Sequence, residues 1–472
     1  MRALSVFFIG LLIAFLSACK IPSVIVKQEN RKTPEVYVTP NDTVNIASFN
    51  WSAYFEDPYL IALIDTALKN NQELNILTRE AEIDKNEIQA RKGEYLPFVT
   101  LGGATGADKS GKYTWNGLSE EDLKASPEKA PKHIGDNRVG ALASWEMDIW
   151  KKLHNARKAA TLRYLSTVEG RNFAKTIVVA EIARSYFELL GLDNQLAVIT
   201  QNIEIQKNAL QLVKYEKEAA KVTQLAVNRF EAQLLNTENL QFEIKQQITE
   251  TENRIHFLVG QFPQPILRAS SSFEGLSLNA PQAGLPSQLL ANRPDIRQAE
   301  YALSAAKLDV QVAKANFYPA VRLTAGLGFE AFNPAFVLKP VSALYNLAGD
   351  IVAPLVNRNA IKAAYSNASL KQVTAAFNYE RTILNAYVEV INDLSRLDNY
   401  RSSFALKEKE VAILNQSISI SNSLFSSARA DYIEVLLTQR EALNSKLELI
   451  EIKVKQLQAK VGVYRSLGGG WR

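Results

Sequence analysis

Residues 381–427 read RTILNAYVEVINDLSRLDNYRSSFALKEKEVAILNQSISISNSLFSS, and this segment gives the strongest indication of the fold. An apolar residue stands at every seventh position of it: Ile383, Val390, Leu397, Phe404, Val411, Ile418 and Phe425. The stretch contains no proline. A heptad repeat sustained over this length is typical of helices that pack side by side. At 1.5 Å per residue, a continuous helix here would be about 70 Å long.

The same seven-residue spacing occurs in two other parts of the chain. The first series is Ile182, Leu189, Leu196, Ile203 and Leu210, with Leu192, Ile199 and Val213 at companion positions. The second series is Leu436, Leu443, Ile450, Leu457 and Tyr464, with Leu447, Val454 and Val461 between them. We predict helices from Thr176 to about Glu218, over residues 223–259, and from the turn near residues 427–431 to the end. Turns near residues 219–223 and 427–431 make two antiparallel coiled-coil hairpins.

Sequence motifs recur between the two halves of the chain. Residues 89–97 (QARKGEYLP) parallel residues 312–319 (VAKANFYP), and an alternating, glycine-bearing stretch follows each. Residues 147–150 (MDIW) parallel residues 349–352 (GDIV). A long heptad helix follows each of these motifs. We therefore predict two copies of one unit, in the order helix, strand, loop, strand and long helices.

Four stretches of about ten residues read as strands: 97–106, 138–149, 320–329 and 344–352. Val139, Ala141, Ala143 and Trp145 show the alternation of a strand with two unlike faces. Ten residues is also the span of a tilted transmembrane strand, although a small soluble sheet has the same pattern. The loop 107–137 is polar and charged, as an exterior loop would be. Four strands are too few to close a barrel, so membrane strands require an oligomer of two, three or four chains.

The N-terminus has the features of a lipoprotein signal. Residues 1–19 read MRALSVFFIGLLIAFLSAC, with one basic residue, a short apolar core and small residues before Cys19. This segment is too short for a stable transmembrane helix. We predict that residues 1–18 are removed and that Cys19 carries lipid. Lys20 stands where an aspartate commonly means inner-membrane retention, so the outer membrane is favoured.

The composition excludes several kinds of chemistry. The 472 residues include one Cys, three His and two Met, so a cysteine-rich zinc site, a histidine-rich metal site and an internal disulfide are excluded. The net charge of +5 comes from 54 basic and 49 acidic residues. This near balance does not indicate a surface that binds nucleic acid. Residues 468–470 (GGG) lack the Lys-Ser/Thr of a phosphate loop, and Arg293-Pro294-Asp295 reads as a helix start. We predict no metal, no cofactor and no nucleic-acid partner.

Three further motifs carry a family resemblance. Residues 285–300 read LPSQLLANRPDIRQAE, residues 430–436 read ADYIEVL and residues 464–471 read YRSLGGGW. With the lipoprotein signal, they make the chain similar to the outer-membrane factor family of TolC-like channels, in its NodT-type lipoprotein branch. The resemblance covers essentially the whole mature chain. The fold class it implies is an α+β membrane protein, with a long antiparallel α-helical coiled-coil barrel and a transmembrane β-barrel shared between chains, four strands from each.

The resemblance also implies an assembly and a function. Members are homotrimers with a twelve-stranded barrel in the outer membrane, a twelve-helix barrel in the periplasm and an equatorial belt around it. They are passive exit ducts for drugs or other toxic compounds. A periplasmic adaptor protein and an inner-membrane pump, often of the resistance–nodulation–division type, complete the machine and supply its energy. The transported substrate does not follow from this sequence.

Domain boundaries follow from the repeat and the resemblance together. Residues 1–18 form the signal peptide and residues 19–56 an anchor and equatorial segment. The first repeat covers residues 57–270, a linker covers residues 271–292, and the second repeat covers residues 293–472 with an equatorial end.

Candidate functional residues lie at the two hairpin turns. The resemblance implies that Asp431 rings a periplasmic aperture, where three symmetry copies of one carboxylate would repel each other and attract cations. Arg429 would tether this tip, and Lys221 with Thr223 would contact the adaptor at the other tip. A simpler interpretation is that Asp431 caps a helix and that both residues of its tip are solvated. Ala428 and Ala430 stand where relatives often carry glycine, which leaves the residue of the ring open.

Two other functions fit part of the sequence. A periplasmic coiled-coil scaffold lipoprotein would account for the heptads and the anchor but not for the paired strands. An enzyme is disfavoured, because no nucleophile–base pair or metal constellation is present. The carboxylates on the heptad helices are more simply solvated faces.

Overall fold

The computed structural model describes residues 21–37, 45–109, 134–276, 282–427 and 429–472. The signal peptide, Cys19 and most of the predicted exterior loop lie outside the described residues. Contacts divide the described chain into two compact units. The strand unit comprises the described residues of Met1–Gln28, Glu82–Leu165 and Tyr301–Phe377, and the helical unit those of Glu29–Ala81, Ser166–Glu300 and Asn378–Arg472.

The main elements follow one another in the order that the sequence predicts. In the first half they are α1 (Pro58–Asn70), α2 (Gln72–Glu94), β1 (Phe98–Asp108), β2 (Ile134–Met147), α3 (Lys152–Glu218) and α4 (Gln224–Val259). In the second half they are α5 (Pro294–Ala315), β3 (Ala320–Ala331), β4 (Ala343–Val352), α6 (Asn359–Ser426) and α7 (Tyr432–Ser466). Short helical turns occupy Trp51–Tyr54 and Leu289–Asn292.

The helices α3 and α6 are longer than the sequence predicts. The prediction that the first helix starts at Thr176 is wrong, because α3 begins at Lys152 and has 67 residues. Likewise α6 begins at Asn359 and has 68 residues. The added part of α3 buries small residues such as Ala159 and Ala160 rather than a heptad of large ones. The heptad marks only the part of each helix that packs in a hairpin.

A buried seam joins α3 to α4 in the helical unit. Its core contains residues of both helices: Leu192, Ile199, Ile203, Leu210 and Val213 of α3, and Ala226, Val227, Phe230, Leu234 and Ile244 of α4. Lys207 of α3 lies 3.5 Å from Glu238 of α4, and Arg254 of α4 lies 3.1 Å from Glu188 of α3, so the helices are antiparallel. Leu436 and Leu447 of α7 pack against the same core. The predicted hairpin and its heptad seam are confirmed.

The second hairpin is joined by polar contacts as well as by its heptad. Lys407 Nζ of α6 lies 2.7 Å from Glu448 Oε2 of α7. Ser445 Oγ of α7 donates to Glu410 Oε1 at 2.7 Å. Val390, Leu397 and Val411 of the α6 heptad are buried. These contacts pair α6 with α7 in antiparallel order, as predicted.

Capping residues define where several helices begin and end. Asp57 accepts hydrogen bonds from the backbone N–H groups of Tyr59 and Leu60 at the start of α1. Pro294 is the first residue of α5, which confirms the helix start predicted from Arg293-Pro294-Asp295. Gly260 ends α4 at a φ of 72°, and a Cβ there would lie 2.6 Å from the carbonyl oxygen of Asn70. Only glycine therefore fits this turn.

The four strands form one antiparallel sheet in the order β1-β2-β3-β4. Their bounds differ from the predicted ones by four residues at most, with the largest shift at Ile134, where β2 begins. None of the helices in the described ranges combines the length and the apolar content that a membrane span requires.

Candidate functional site

The register of the sheet gives it two unlike faces. Val99 lies opposite Ala143, Ala143 opposite Ala325, and Ala325 opposite Leu347. Residues directly opposite each other in an antiparallel pair project from the same face, and each face takes every second residue. One face carries only apolar residues and glycine between the row of Val139 and the row of Met147, and we call it the apolar face. Its residues are Val99, Leu101, Gly103, Val139, Ala141, Ala143, Trp145, Met147, Val321, Leu323, Ala325, Leu327, Phe329, Ala343, Tyr345, Leu347, Gly349 and Ile351.

The apolar face is open to solvent in the single chain. Leu101 is 83% exposed, Leu347 79% and Ile351 73%. A soluble monomer rarely exposes a continuous apolar surface of this kind. The face therefore needs an apolar environment or a partner.

The opposite face carries the charges of the sheet and is called here the polar face. Its polar residues are Thr100, Arg138, Ser144, Glu146, Arg322, Thr324, Glu330, Asn346 and Asp350, beside the apolar Phe98, Leu142, Leu344 and Val352. At one end, Arg138 lies 2.6 Å from Asp136 and 3.5 Å from Glu330. At the other end, Lys152 lies 2.5 Å from Glu146. This face suits contact with water.

Two glycines allow β2 and β3 to approach closely on the polar face. Gly140 and Gly328 lie opposite each other. A Cβ on Gly140 would lie 2.7 Å from the carbonyl oxygen of Leu327, and one on Gly328 would lie 2.5 Å from that of Val139. A side chain at either position would push the strands apart.

The two hairpin tips share one backbone hydrogen bond. The N–H of Lys221 donates to the carbonyl of Glu216, and the N–H of Arg429 donates to that of Leu424, each at 2.9 Å. Both are bonds from a residue to the fifth before it, as at the end of a helix that turns sharply. At the first tip Ala220 has a φ of 59°.

The candidate residues occupy matching places at these tips. Two residues after Lys221 and Arg429, Thr223 and Asp431 stand at the N-cap positions of α4 and α7. All four residues are exposed. Neither cap side chain bonds the helix start, so the interpretation of Asp431 as a helix cap gains no support. Within the described residues, Arg429 and Asp431 are not joined by an ion pair.

Arg293 has a role that the sequence analysis did not find. Its side chain is buried, lies 2.7 Å from Asp295 and 2.9 Å from Glu389, and donates to the carbonyl of Ser466 at 2.8 Å. Burial alone would lower the pKa of the guanidinium, but the hydrogen bonds and charges of Asp295 and Glu389 outweigh it and raise the pKa. Arg293 thereby joins the start of α5, the helix α6 and the end of α7. Sequence spacing carries no signal for contacts this distant along the chain.

The final glycines pack around the same point. A Cβ on Gly468, which has a φ of 98°, would lie 2.6 Å from the carbonyl oxygen of Asn292. A Cβ on Gly469 would lie 2.4 Å from the ring of Tyr464. The glycines therefore serve the packing of the chain end. In the ranges that the structure describes, no cluster of three or more His, Cys, Asp or Glu side chains is suited to a metal ion.

Known proteins resemble this chain along nearly its whole length. The solvent efflux pump outer membrane protein SrpC of Pseudomonas putida is 26% identical over 419 residues, which are 89% of this chain and 87% of SrpC. The probable outer membrane lipoprotein SilC of Salmonella typhimurium is 24% identical over 426 residues, 89% of this chain and 88% of SilC. The outer membrane channel MtrE of Neisseria gonorrhoeae has the same fold, with a TM-score of 0.84, 21% identity and coverage of 96% of this chain and 98% of MtrE.

A family profile described as outer membrane efflux protein matches residues 63–261 and 285–469. These two ranges make up most of the sequence, and they confirm the resemblance inferred from its motifs. The chain belongs to the outer membrane efflux protein family, and it is an outer-membrane component of an efflux pump.

Proposed function

We propose that this protein is one protomer of a homotrimeric exit duct, which passes small molecules from a periplasmic adaptor and an inner-membrane pump to the exterior. The observation that carries the proposal is the sheet with one apolar and one polar face. Such a sheet suits a wall that has lipid on one side and water on the other. Three copies would supply twelve strands, enough to close a barrel. No catalytic step is part of this proposal.

A second apolar surface supports assembly with further copies of the chain. Exposed apolar residues spaced by seven follow the helices outside the buried seams: Ile205 and Leu212 on α3, Leu235 and Phe242 on α4, and Leu406, Ile413 and Ile420 on α6. Heptad spacing on an exposed face is the pattern of a helix that packs against another helix. We propose that the neighbouring copies cover these stripes and so extend the hairpins into a helical barrel.

The chain is proposed to consist of two copies of one unit. The order helix, strand, strand, long helix, shorter helix occurs in α2 to α4 and again in α5 to α7. The backbone design of the tips supports the same pairing of the halves. On this basis the repeats cover residues 57–270 and 293–472, with residues 19–56 and 271–292 as anchor and linker segments.

We propose that Cys19 carries the lipid of the anchor. Ile21 and Val24 pack against the cluster of Phe317 and Tyr365, next to the end of α5. Further along, Gln372 Nε2 donates to the carbonyl of Lys27 at 2.8 Å. Two residues of chain reach about 7 Å at most, so a lipid on Cys19 would be attached close to the point where helix gives way to strand. That is where the bilayer surface would lie.

The tips are proposed to act at the periplasmic end. Asp431 would form a ring of three carboxylates around an aperture, with Arg429 beside it, and such a ring favours the passage of cations. Lys221 and Thr223 would contact the adaptor. The matching hydrogen bonds of Lys221 and Arg429 at the two tips support separate roles that depend on the side chains.

Two measurements on the full-length lipoprotein test the proposed function. Native mass spectrometry in detergent should give three copies per particle, and a monomer would contradict the proposal. Ser119→Cys places a thiol in the predicted exterior loop, and an impermeant maleimide should label it on intact cells. Ser427→Cys, at the second tip, is the matched control and should be labelled only after lysis. A periplasmic scaffold would show no labelling at either position on intact cells.

A further inference from the structure

The apolar face of the sheet ends in a group of aromatic and basic side chains, which we call the interfacial cluster: Tyr95, Trp145, His154 and Arg157. Trp145 belongs to the apolar face and lies opposite Leu323. Its indole Nε1 donates a hydrogen bond to the carbonyl of Tyr95 at 3.0 Å. The cluster thus begins at the next-to-last row of the apolar face and continues between the end of α2 and the start of α3.

Tyr95 is the centre of the interfacial cluster. Its ring stacks on His154 with centroids 4.4 Å apart, and its hydroxyl accepts a hydrogen bond from Arg157 Nη1 at 2.9 Å. His154 Nδ1 lies 2.6 Å from Asp148 Oδ2. His154 and Arg157 are three residues apart on α3, so they share one side of that helix. Directional contacts therefore fix every member of the cluster.

Arg157 differs from the neighbouring arginines of the strand unit in its partners. Arg91 lies 2.8 Å from both Glu87 and Glu94, and Arg163 pairs with Asp309. Arg157 has no carboxylate partner among the residues that the structure describes. A guanidinium has five N–H donors, and the contact with Tyr95 uses one of them. The remaining N–H donors of this half-buried guanidinium are available to a hydrogen-bond acceptor from outside the chain.

We infer that the interfacial cluster binds the phosphate of an anionic phospholipid headgroup. The inference rests on the proposed function, because only a sheet within the membrane brings lipid to this point. Tryptophan and tyrosine rings favour the boundary between lipid and water. The planar guanidinium matches a phosphate with two parallel hydrogen bonds, and basic groups beside a bilayer attract anionic lipids. The cluster joins all three properties at one end of the apolar face.

The inference is tested by lipid binding to the full-length trimer. Delipidated trimer is titrated with dihexanoyl phosphatidylglycerol, dihexanoyl phosphatidylethanolamine and inorganic phosphate, and bound ligand is counted by native mass spectrometry. Phosphatidylglycerol should bind most tightly. Arg157→Gln should weaken its binding about tenfold, the loss expected for one charge-assisted contact. Arg157→Lys keeps the positive charge but lacks the planar guanidinium. Its affinity for phosphatidylglycerol should lie between those of the wild type and Arg157→Gln.

Matched variants separate this site from charge in general and from folding. Arg254→Gln removes an exposed arginine of α4 that pairs with Glu188 at 3.1 Å, and it should leave lipid binding unchanged. Tyr95→Phe keeps the ring but removes the acceptor of Arg157, and it should weaken binding less than Arg157→Gln. Equal binding by wild type and Arg157→Gln, an equal loss in Arg254→Gln, or phosphate binding as tight as the lipid would overturn the inference. Trimer mass and channel conductance report on the proposed function separately, and both should stay at the wild-type value in Arg157→Gln.

Discussion

The strand sheet and the helical hairpins both expose apolar side chains in the single chain, but in different patterns. On the sheet they are continuous, since neighbouring strands add apolar residues to the same face row after row. On the hairpins they form narrow stripes at seven-residue spacing, with mostly polar residues between them. A continuous face suits a featureless solvent such as lipid, whereas a spaced stripe suits a partner with matching gaps. Pattern, more than total exposed area, indicates what covers an apolar surface.

A large loss of stability is expected from a charge on the apolar face of the sheet. Leu347→Arg would place a guanidinium in lipid and cost about 2–4 kcal/mol in each copy. Asn346→Arg makes nearly the same change one residue away, on the polar face, and should cost little. The free energy of unfolding in lipid vesicles, measured with urea, checks the pair. Equal effects at the two positions would remove the distinction between the faces.

The next effect separates the buried seam from the exposed stripe of α3. Leu210→Ala leaves a cavity in the packed core between α3 and α4. It should lower the free energy of unfolding by about 2–5 kcal/mol. Leu212→Ala truncates a side chain that is 51% exposed in the single chain. It should reduce the share of trimers in detergent while the helical content stays the same. Circular dichroism and native mass spectrometry measure the two properties, and a trimer unaffected by Leu212→Ala would speak against a stripe covered by neighbouring copies.

A smaller effect is expected from a buried carboxyl in the helical unit. Burial raises the pKa of Asp393, and the hydrogen bond from Ser466 and the charges of Arg396, Arg465 and Arg184 oppose that rise without cancelling it. An acid whose pKa is higher in the folded state binds its proton more tightly there. Its contribution to stability is therefore present at pH values below the unfolded pKa and is lost as the pH rises through the folded pKa.

Asp393→Asn keeps the shape of this side chain and removes its charge. It should therefore stabilise the protein modestly at pH 7 relative to wild type and lose that advantage near pH 3. Urea unfolding across this pH range checks the sign, with Asp398→Asn, an exposed position on the same helix, as the control. A variant less stable than wild type at pH 7 would show that the ion pair with Arg396, at 3.0 Å, outweighs the burial of the charge.

The smallest effect on stability, and the most specific effect on function, concerns the tips. Asp431→Ala should raise conductance in planar bilayers and reduce cation preference, because three repelling carboxylates would leave the aperture. Lys221→Ala alters the matching tip and should leave conductance unchanged while it weakens binding of the adaptor. Unchanged conductance and ion preference in Asp431→Ala would exclude Asp431 from the aperture. The comparison of the two variants then assigns a role to each tip.

Much of the fold followed from short-range periodicity. The heptad at Ile203 and Leu210 predicted the hairpin because a helix buries the same side at every second turn. The alternation from Val139 to Trp145 predicted a strand with two faces because its side chains change sides at each residue. The start of α3 escaped prediction, since Ala159 and Ala160 are too small and too irregularly spaced to give a heptad signal.

The candidate site was less predictable, because its contacts join distant parts of the chain. The pairing of Arg293 with Glu389 spans 96 residues and leaves no trace in local spacing. The interfacial cluster joins Tyr95 to Arg157 across two strands and their connecting loop. A signal did exist for it, since an aromatic residue stands two positions before the proline in both halves, as Tyr95 before Pro97 and Phe317 before Pro319. The roles of Lys221, Thr223, Arg429 and Asp431 stay predictions, because they depend on copies and partners beyond one chain.

The unbroken length of α3 restricts how this protein can change in evolution. Deleting one residue between Ile182 and Leu210 would turn the rest of the helix by about 100° and shorten it by about 1.5 Å. The buried seam and the exposed stripe would then both point to the wrong neighbours. Insertions and deletions are tolerable only as whole heptads taken from both arms of a hairpin together. The length of the hairpins is therefore adjustable only in steps of about 10 Å.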